Sequence, residues 1–258
     1  MFLLCEGSHT TASPYFITLP PKSSDNPKEN QFLFFPELSV AKWFYEFGLA
    51  EKQLIHWVFD NFISPDANFI DIGAHVGTYT WICGKKAKHT YAFECGPKTF
   101  CYLAANIALH QLEDRVTPFQ FALGNEEKTM DYYIRSEDGG GNGIKELCVA
   151  DSQCKKRNVY MKTLDSFQFE NVGFIKIDVE GFEKEVLMGA VDTLRRNNYP
   201  KILFESWGNW KEKEGVPADQ IRKELFVYLE GLGYKVMGVS GVRDMYLATH
   251  LATDMCQS

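Results

Sequence analysis

Short apolar strands alternate with helical segments from residue 68 to residue 232, and this alternation constrains the fold more than any other feature. The predicted strands lie at 68–73, 89–94, 115–123, 172–180 and 201–206. The predicted helices between them lie at 78–87, 97–110, 183–196 and 217–232. Because such alternation favours parallel strand pairing, we expect an α/β fold: a doubly wound, mostly parallel sheet with helices on both faces.

Two other segments carry antiparallel signals. The runs YKVMGV (234–239) and DMYLATH (244–250) predict a closing hairpin. Residues 124–167 hold strand-like pieces on either side of the glycine-rich loop DGGGNG (138–143). We interpret this loop either as a mobile lid over a substrate or as a flexible connection.

The N-terminal part of the chain differs from the rest. Residues 1–36 include LPPKSSDNPKENQ, which is rich in proline, serine and charge, and they predict an irregular leader. Apolar residues at helical spacing in 37–63 predict a preface of two helices. We expect residues 37–258 to form a single domain.

Composition limits the classes of partner. The 258 residues carry a net charge of −7, and the longest basic run is KKR at 155–157, so a nucleic-acid partner is not expected. No apolar stretch approaches the roughly 20 residues of a membrane helix, so no membrane partner is expected either. The seven cysteines form no C-x-x-C pair, which favours reduced thiols and a cytoplasmic protein.

The first strand of the alternation ends in Asp71, and Gly73 and Gly77 follow it. In open parallel sheets ligands bind outside the carboxyl ends of the strands. Glycines at this spacing let the backbone turn tightly and approach a ligand, while the next helix directs N–H groups at it. The dinucleotide motif G-x-G-x-x-G is absent. The alternative is a tight turn with a capping aspartate.

The next two strand ends suggest a nucleoside. Glu94 lies 23 residues after Asp71, about where an acid holds the ribose hydroxyls in nucleotide-binding folds. Ala122, in FALG (121–124), would let a flat heterocycle pack, although such a run also suits an ordinary strand exit. A solvent-exposed glutamate at the end of a strand is the alternative for Glu94.

The fourth strand ends in Asp178 and Glu180, which we place over the reaction centre because buried acids need partners or a function. The alternative is a helix cap with a first-turn acid. Together the strand ends predict a nucleoside ligand without a diphosphate. S-adenosyl-L-methionine has this shape, with its ribose at Glu94 and its amino-acid tail over residues 73–77.

Three sequence runs resemble the FkbM family of S-adenosylmethionine-dependent methyltransferases. They are FIDIGAHVGTYT, YAFECGPKTFCYLAANIAL and, most specifically, TLDSFQFENVGFIKIDVEGFEKEVLMGA. The resemblance covers about residues 50–206 and implies the class I methyltransferase (Rossmann-like) fold with seven strands. The sequence departs from the family at His75, usually a small polar residue, and at the pair Cys95–Gly96, where bulkier residues are common.

The resemblance implies O-methyl transfer to a hydroxyl, often on a sugar, a glycan or a natural-product ring. The residues expected to bind the cofactor are Asp71, Gly73, Ala74, His75, Gly77, Glu94, Ala122 and Asp178. The residues expected to be catalytic are Asp178, Glu180 and Glu205. We expect Asp178 or Glu180 to lie near the methyl group, and Glu205 to serve as base or substrate contact. Such oxygen ligands suit a divalent metal, but we do not predict one.

Several roles stay open. His75 is a candidate base, a hydrogen-bond partner of the methionine tail or a surface residue. Trp207 and Trp210 suit either stacking on a sugar ring or ordinary packing. A nicotinamide dehydrogenase is disfavoured, because no Tyr-x-x-x-Lys pair stands out. A ribose 2'-O-methyltransferase acting on RNA would use Asp178 and Glu205 together with two lysines that we do not place. A non-catalytic S-adenosylmethionine-binding module is the third class.

Overall fold

The computed structural model describes residues 15–18, 31–34, 51–134, 142–144 and 154–251. Its strands are β1 (Tyr15–Thr18), β2 (Gln31–Phe34), β3 (Asn68–Ile72), β4 (Thr90–Phe93), β5 (Val116–Phe119), β6 (Ala122–Leu123), β7 (Lys128–Ile134), β8 (Lys155–Lys162), β9 (Val172–Ile177), β10 (Lys201–Glu205), β11 (Tyr234–Gly238) and β12 (Met245–His250). Its α-helices are α1 (Lys52–Asn61), α2 (Thr78–Gly84), α3 (Pro97–Leu109), α4 (Glu183–Met188), α5 (Val191–Arg196) and α6 (Ala218–Gly231). Two 3₁₀ helices span Leu164–Phe167 and Asn209–Glu214.

The main sheet has seven strands in the order β11-β12-β10-β9-β3-β4-β5. Strand β12 pairs antiparallel with both β10 and β11, and the other neighbours pair parallel. The predicted mostly parallel sheet of the class I methyltransferase fold, with its C-terminal antiparallel hairpin, is confirmed. Strand order reverses at β3, where such sheets bind ligands.

Helices cover both faces of this sheet. One core cluster joins α1, α2 and α3 to Phe69 and Phe174, and the other joins α4, α5 and α6 to Ile70 and Ile175. Neighbouring residues of one strand thus enter opposite clusters, as the two-residue period of a strand requires. The doubly wound arrangement follows, because each face of the sheet is apolar and must be covered.

The predicted strand at 115–123 is two strands in two different sheets. Strand β5 ends at Phe119, and β6 (Ala122–Leu123) pairs in parallel with Met161 and Lys162 of β8. Strand β8 also pairs antiparallel with β7, which makes a separate three-stranded sheet β6-β8-β7. The chain leaves the main sheet at Gln120–Phe121, where the Phe121 ring packs against Phe167 instead.

The predicted helix at 183–196 is also divided, into α4 and α5. A Cβ atom on Gly189 would lie 1.9 Å from the carbonyl oxygen of Gly124, so the chain can approach that close only without a side chain. The new helix start is then capped by Asp165, whose carboxylate accepts the N–H groups of Asp192 at 3.1 Å and Thr193 at 2.6 Å. The division between α4 and α5 therefore results from the close packing of Gly189 on Gly124 and from the cap at Asp165.

The N-terminal prediction needs one correction. Strands β1 and β2 pair antiparallel inside the leader that we predict to be irregular, because the runs YFIT and QFLF are rich in residues that favour strands. Helix α1 is one of the two helices predicted in 37–63, and residues 35–50 lie outside the described part. Most of the DGGGNG loop also lies outside it. The division into leader and domain stays a prediction, as does the cytoplasmic location.

Among the helices of the described ranges, none combines the length and the apolar character needed to cross a lipid bilayer.

Candidate active site

The strand ends that the sequence points to lie side by side. In the main sheet Ile72 of β3 is level with Phe93 of β4 and with Ile177 of β9, and Ile177 is level with Phe204 of β10. The residues that follow this row are Gly73, Glu94, Asp178 and Glu205. Four predicted site residues from four strands thus converge at one edge because the register aligns them.

A cleft of about 260 Å³ opens at this edge. Of the predicted site residues, those that line it are Gly73, Ala74, His75, Glu94, Ala122, Asp178 and Glu180. The other three, Asp71, Gly77 and Glu205, are not among its lining residues. The wall also contains Glu51, Tyr79, Tyr132 and Lys176, which the sequence analysis did not select.

The loop after β3 has no room for side chains at its two glycines. Gly73 has a φ of +75°, and a Cβ atom there would lie 1.7 Å from the carbonyl oxygen of Asp178. Gly77, with a φ of +94°, would place a Cβ atom 2.8 Å from Cδ1 of Leu103. The backbone N–H groups of Gly73 and Ala74 both donate to the carbonyl of Phe93, at 2.9 Å each. The loop is therefore fixed against β4, β9 and α3.

Asp71 lies beneath this loop and is fully buried. Its Oδ2 accepts the hydroxyl of Thr80 at 2.5 Å, and its Oδ1 lies 3.9 Å from Nζ of Lys176. Burial raises the pKa of Asp71, while Lys176 and Thr80 oppose the rise. Asp71 thus ties β3 to α2 and β9 from inside the protein.

Lys176 carries the positive charge at the centre of the site and is 4% exposed. Its ammonium donates to the carbonyl oxygen of Gly73 at 3.1 Å and to Oδ2 of Asp178 at 3.2 Å, and it lies 5.2 Å from the centre of the Tyr79 ring. Burial lowers the pKa of Lys176, but the carboxylates of Asp178 and Asp71 outweigh burial and raise it. The side chain therefore stays an ammonium. In the sequence this lysine lies within the apolar run VGFIKI, which gives no sign of its partners.

Glu94 is held by two backbone groups. Its Oε2 accepts the N–H of His75 at 3.0 Å, and its Oε1 accepts the N–H of Gly96 at 2.8 Å. Burial raises the pKa of Glu94, while His75 and these N–H groups oppose the rise. A carboxylate has about four acceptor positions, so each oxygen keeps one for a ligand. The arrangement fixes the direction in which Glu94 can accept further donors.

Three lining residues that are not glycine have left-handed backbone angles. The φ values are +51° at Glu51, +54° at His75 and +57° at Glu180. Each such conformation costs about 1–2 kcal/mol for an ordinary residue, and residues of this kind cluster at functional sites. For His75 the structure gives a backbone role, through Glu94, and a half-buried position in the wall of the cleft.

Asp178, Glu180 and Glu205 form a cluster, with one oxygen of each within 4.8 Å of the others. Burial, together with the charges of Asp178 and Glu180, raises the pKa of Glu205 to about 10. The protonated form of Glu205 is therefore favoured at neutral pH, and its side chain is hydrogen-bonded to that of Asp178. Carboxylate oxygens are the ligands that Mg²⁺ and Mn²⁺ prefer, although a proton on Glu205 lowers the negative charge that a cation would meet.

Glu183 holds the loop that carries Glu180. It is 2% exposed, and its Oε1 accepts the N–H groups of Val179 and Gly181, each at 3.1 Å. Burial raises the pKa of Glu183 to about 7, while these N–H groups oppose the rise. The helix-start role that was the alternative for Asp178 and Glu180 thus belongs to Glu183. The run E-G-x-E was the available signal for it.

The three-stranded sheet β6-β8-β7 also contributes to the wall of the cleft. Tyr132 of β7 lines it and is hydrogen-bonded to Asn142, the fifth residue of the DGGGNG run. The backbone groups of Gly143 and Tyr133 bond to each other, which joins the end of that run to β7. Of the loop predicted as a lid or a connection, this described end is part of the wall.

Trp207 packs in the interior and does not face the cleft. It is 7% exposed and belongs to a small apolar cluster with Val216 and Ala218. Packing, the alternative to sugar stacking, is therefore correct for this residue. The side chain of Trp210 lies outside the described part.

Comparison with known proteins decides the family. The profile described as "Methyltransferase FkbM domain" matches residues 71–236, which is more than half of the chain. The chain belongs to the FkbM methyltransferase domain family. The resemblance predicted from the three sequence runs is thereby confirmed.

Relatives of this FkbM-family chain include the hexuronic acid methyltransferase AglP of Haloferax volcanii, which is 29% identical over 129 residues. The match takes in 50% of this chain and 52% of the relative, so the chain spans about half the length of the curated relative that it matches. Similar solved structures include the methyltransferase FkbM of Methylobacillus flagellatus KT, with a TM-score of 0.48, 15% identity and coverage of 72% of this chain and 44% of that one. A SAM-dependent methyltransferase of Aquifex aeolicus has a TM-score of 0.46, 15% identity and coverage of 77% and 87%.

Part of the FkbM-like run at 163–190 has a structural purpose. Asp165 of the T-L-D motif caps α5, and its own N–H donates to the carbonyl of Gly189 at 2.9 Å. Gly189 of the V-L-x-G-A motif makes the close approach to Gly124. Among the other polar residues of the run, Lys176, Asp178 and Glu180 line the cleft, and Glu183 holds the loop that carries Glu180.

Proposed function

We propose that this protein transfers a methyl group from S-adenosyl-L-methionine to a hydroxyl group of a sugar, a glycan or a natural-product acceptor. The observation that carries the proposal is the fixed carboxylate of Glu94, beside the glycine loop in a cleft that Asp178 and Glu180 also line. Family membership supports the type of reaction.

The residues of the cleft fit S-adenosyl-L-methionine. Each Glu94 oxygen has an acceptor position left for a ribose hydroxyl, and at 7% exposure it meets little competing water. Ala122, between Phe121 and Leu123, offers an apolar wall for the adenine. The loop that begins at Gly73 also lines the cleft, and the amino-acid tail would lie against it. These are the contacts that the sequence predicted for Glu94, Ala122 and the loop.

When bound, S-adenosyl-L-methionine supplies an electrophilic methyl group on a good leaving group. The protein must then place the acceptor hydroxyl in line and receive its proton. Asp178 and Glu180 are the carboxylates of the cluster suited to this, since Glu205 carries a proton at neutral pH. We assign the base to Asp178, which two neighbours orient, and contact with the acceptor to Glu180.

The proposed acceptor is a hydroxyl compound of carbohydrate type. The relative AglP is named for methyl transfer to a hexuronic acid, and it supports a sugar or glycan acceptor for this chain. The net charge of −7 disfavours RNA, whose phosphates need a basic surface. Transfer to a ribose 2'-hydroxyl in RNA is therefore the alternative that the following test includes.

The test uses S-adenosyl-L-methionine with a tritiated methyl group. The full chain is incubated with panels of neutral sugars, uronic acids, glycans, small hydroxyl compounds and RNA, and Asp178→Asn is the control. Label on a sugar or glycan, absent with the control, is the expected result. Label on RNA alone would overturn the acceptor class, and cofactor binding without transfer to any panel member would favour a non-catalytic module.

A further inference from the structure

We propose that Lys176 is a positioning residue that couples the loop after β3 (residues 73–77, the proposed cofactor loop) to the carboxylate of Asp178. The inference rests on the proposed function, because it deepens the role of the same cleft. Lys176 is assigned no contact with the acceptor or with the reacting atoms. It acts through Gly73 and Asp178, one on each side of the point where strand order reverses.

The donors of the Lys176 ammonium are directed at the cleft. An ammonium has three N–H donors and no acceptor. Two of its donors reach the Gly73 carbonyl at 3.1 Å and the Asp178 carboxylate at 3.2 Å. The distance to Asp71 is longer, at 3.9 Å, and exceeds a hydrogen bond. The tightest contacts of this buried charge are thus those at the cleft.

The position of Lys176 on β9 explains how it reaches both partners. Residues two apart on a strand point to the same face, so Lys176 lies under Asp178, which directly follows the strand. Strand β3, next to β9 in the sheet, delivers Gly73 at the same level. One side chain therefore bridges the ends of two of the strands that form the cleft, β3 and β9.

Asp178 is consequently held from two directions. Lys176 of β9 donates to it, and the side chain of Glu205, on the neighbouring strand β10, is hydrogen-bonded to it. A carboxylate fixed in this way needs no reorientation when an acceptor hydroxyl arrives. Loss of the ammonium would free Asp178 to turn and would leave the Gly73 carbonyl without its donor.

A structural role must be separated from this positioning role. Replacing Lys176 alone leaves the fully buried Asp71 without its counter-charge, which destabilises proteins strongly. We therefore compare the double variant Asp71→Asn/Lys176→Met with Asp71→Asn as the reference. Both lack the buried aspartate charge, but only the reference keeps the ammonium. Urea titrations of both variants check that they are folded to a comparable extent.

Two readouts test the inference. Hydrogen exchange of the amides at 73–77 and 178–181 is expected to be at least about tenfold faster in the double variant than in Asp71→Asn, because each tenfold corresponds to about 1.4 kcal/mol, roughly one hydrogen bond. The kcat for transfer is expected to be about 100-fold lower, with the KM for S-adenosyl-L-methionine changed less than about threefold, as misplacement of a reacting group predicts.

The outcomes separate this inference from the proposed function. Equal exchange in the two proteins overturns the positioning role, whether or not transfer occurs. A fall in the affinity for S-adenosyl-L-methionine with unchanged kcat also overturns it. If the wild-type protein transfers no methyl group, the proposed function fails, and the exchange measurement still decides whether Lys176 couples the loop to Asp178.

Discussion

Gly73 and Asp178 approach so closely that a Cβ atom on Gly73 would lie 1.7 Å from the carbonyl oxygen of Asp178. The loop after β3 and the end of β9 therefore touch backbone to backbone, and Lys176 bonds to both. This contact sets the shape of the cleft. It places the proposed cofactor loop and the proposed base on adjoining segments whose separation cannot change without a rearrangement of the backbone.

The first prediction concerns Gly73→Ala. We expect this variant to lose several kcal/mol of unfolding free energy, or to fail to fold, because the new methyl group would overlap the Asp178 backbone and the φ is +75°. The measurement is urea denaturation followed by circular dichroism.

Gly241→Ala is the matched control for that variant. Gly241 has a φ of +78°, but a Cβ atom there would meet no described atom within 4 Å. The free energy of unfolding of Gly241→Ala should therefore fall only by the backbone cost of about 1–2 kcal/mol. Equal losses in the two variants would show that the contact between Gly73 and Asp178 is not tight.

The second prediction separates stability from binding. Asp165→Ala removes the cap of α5 and should lower the free energy of unfolding by about 1–2 kcal/mol, because the N–H groups of Asp192 and Thr193 lose their acceptor. The affinity for S-adenosylhomocysteine should stay within about twofold of wild type. Urea titration and calorimetry measure the two effects. A large loss of affinity in a folded variant would contradict a purely structural role.

The third prediction is a dependence of stability on pH. Burial raises the pKa of Glu183 to about 7 in the folded protein, from an ordinary value of 4.5. Between these two values the folded state binds more protons at Glu183 than the unfolded state does, so this group lowers the free energy of unfolding as pH rises. The whole effect is about 3 kcal/mol, at about 1.4 kcal/mol for each pH unit.

Glu183→Gln tests this effect, because glutamine keeps an oxygen that can accept from Val179 and Gly181 but does not titrate. Urea denaturation at pH 5 and pH 8 should show a smaller fall in the free energy of unfolding for the variant than for wild type. An equal fall in the free energy of unfolding for the two proteins would mean that Glu183 does not titrate in this range.

The fourth prediction distinguishes the clustered carboxylates. Glu205 acts as a donor to Asp178, and a glutamine amide can donate in its place, so Glu205→Gln should reduce kcat much less than Asp178→Asn does. We expect a loss of at least about 100-fold for Asp178→Asn, the size typical of a general base. Radiolabelled transfer at saturating substrate measures both. A larger loss for Glu205→Gln would assign the base to Glu205.

The main sheet is predictable from the sequence because the pattern of apolar residues and the ends of strands are visible in short stretches of the chain. Strands β3, β4, β9 and β10 fall within the predicted ranges, and Glu94 and Asp178 meet at the predicted edge. The register that aligns these ends depends on pairing between distant strands. The alternation of strands and helices implies this pairing only in outline.

Several of the errors come from contacts between distant parts of the chain. The close approach of Gly189 to Gly124 divides the predicted helix, and the pairing of Ala122 with Met161 draws β6 out of the main sheet. Lys176 and Glu183 were missed because their partners lie on other elements or on the backbone. In a sequence, a lysine within an apolar strand gives no sign of which carbonyl or carboxylate it reaches.

The most direct test is a calorimetric titration of S-adenosylhomocysteine into wild-type protein and into Glu94→Ala. We expect saturable binding at one site per chain in wild type. We expect at least about tenfold weaker binding in the variant, since the loss of two hydrogen bonds from ribose to a charged group exceeds 1.4 kcal/mol. Equal affinity in the two proteins would contradict the assignment of Glu94, and absence of binding in wild type would contradict the proposed function itself.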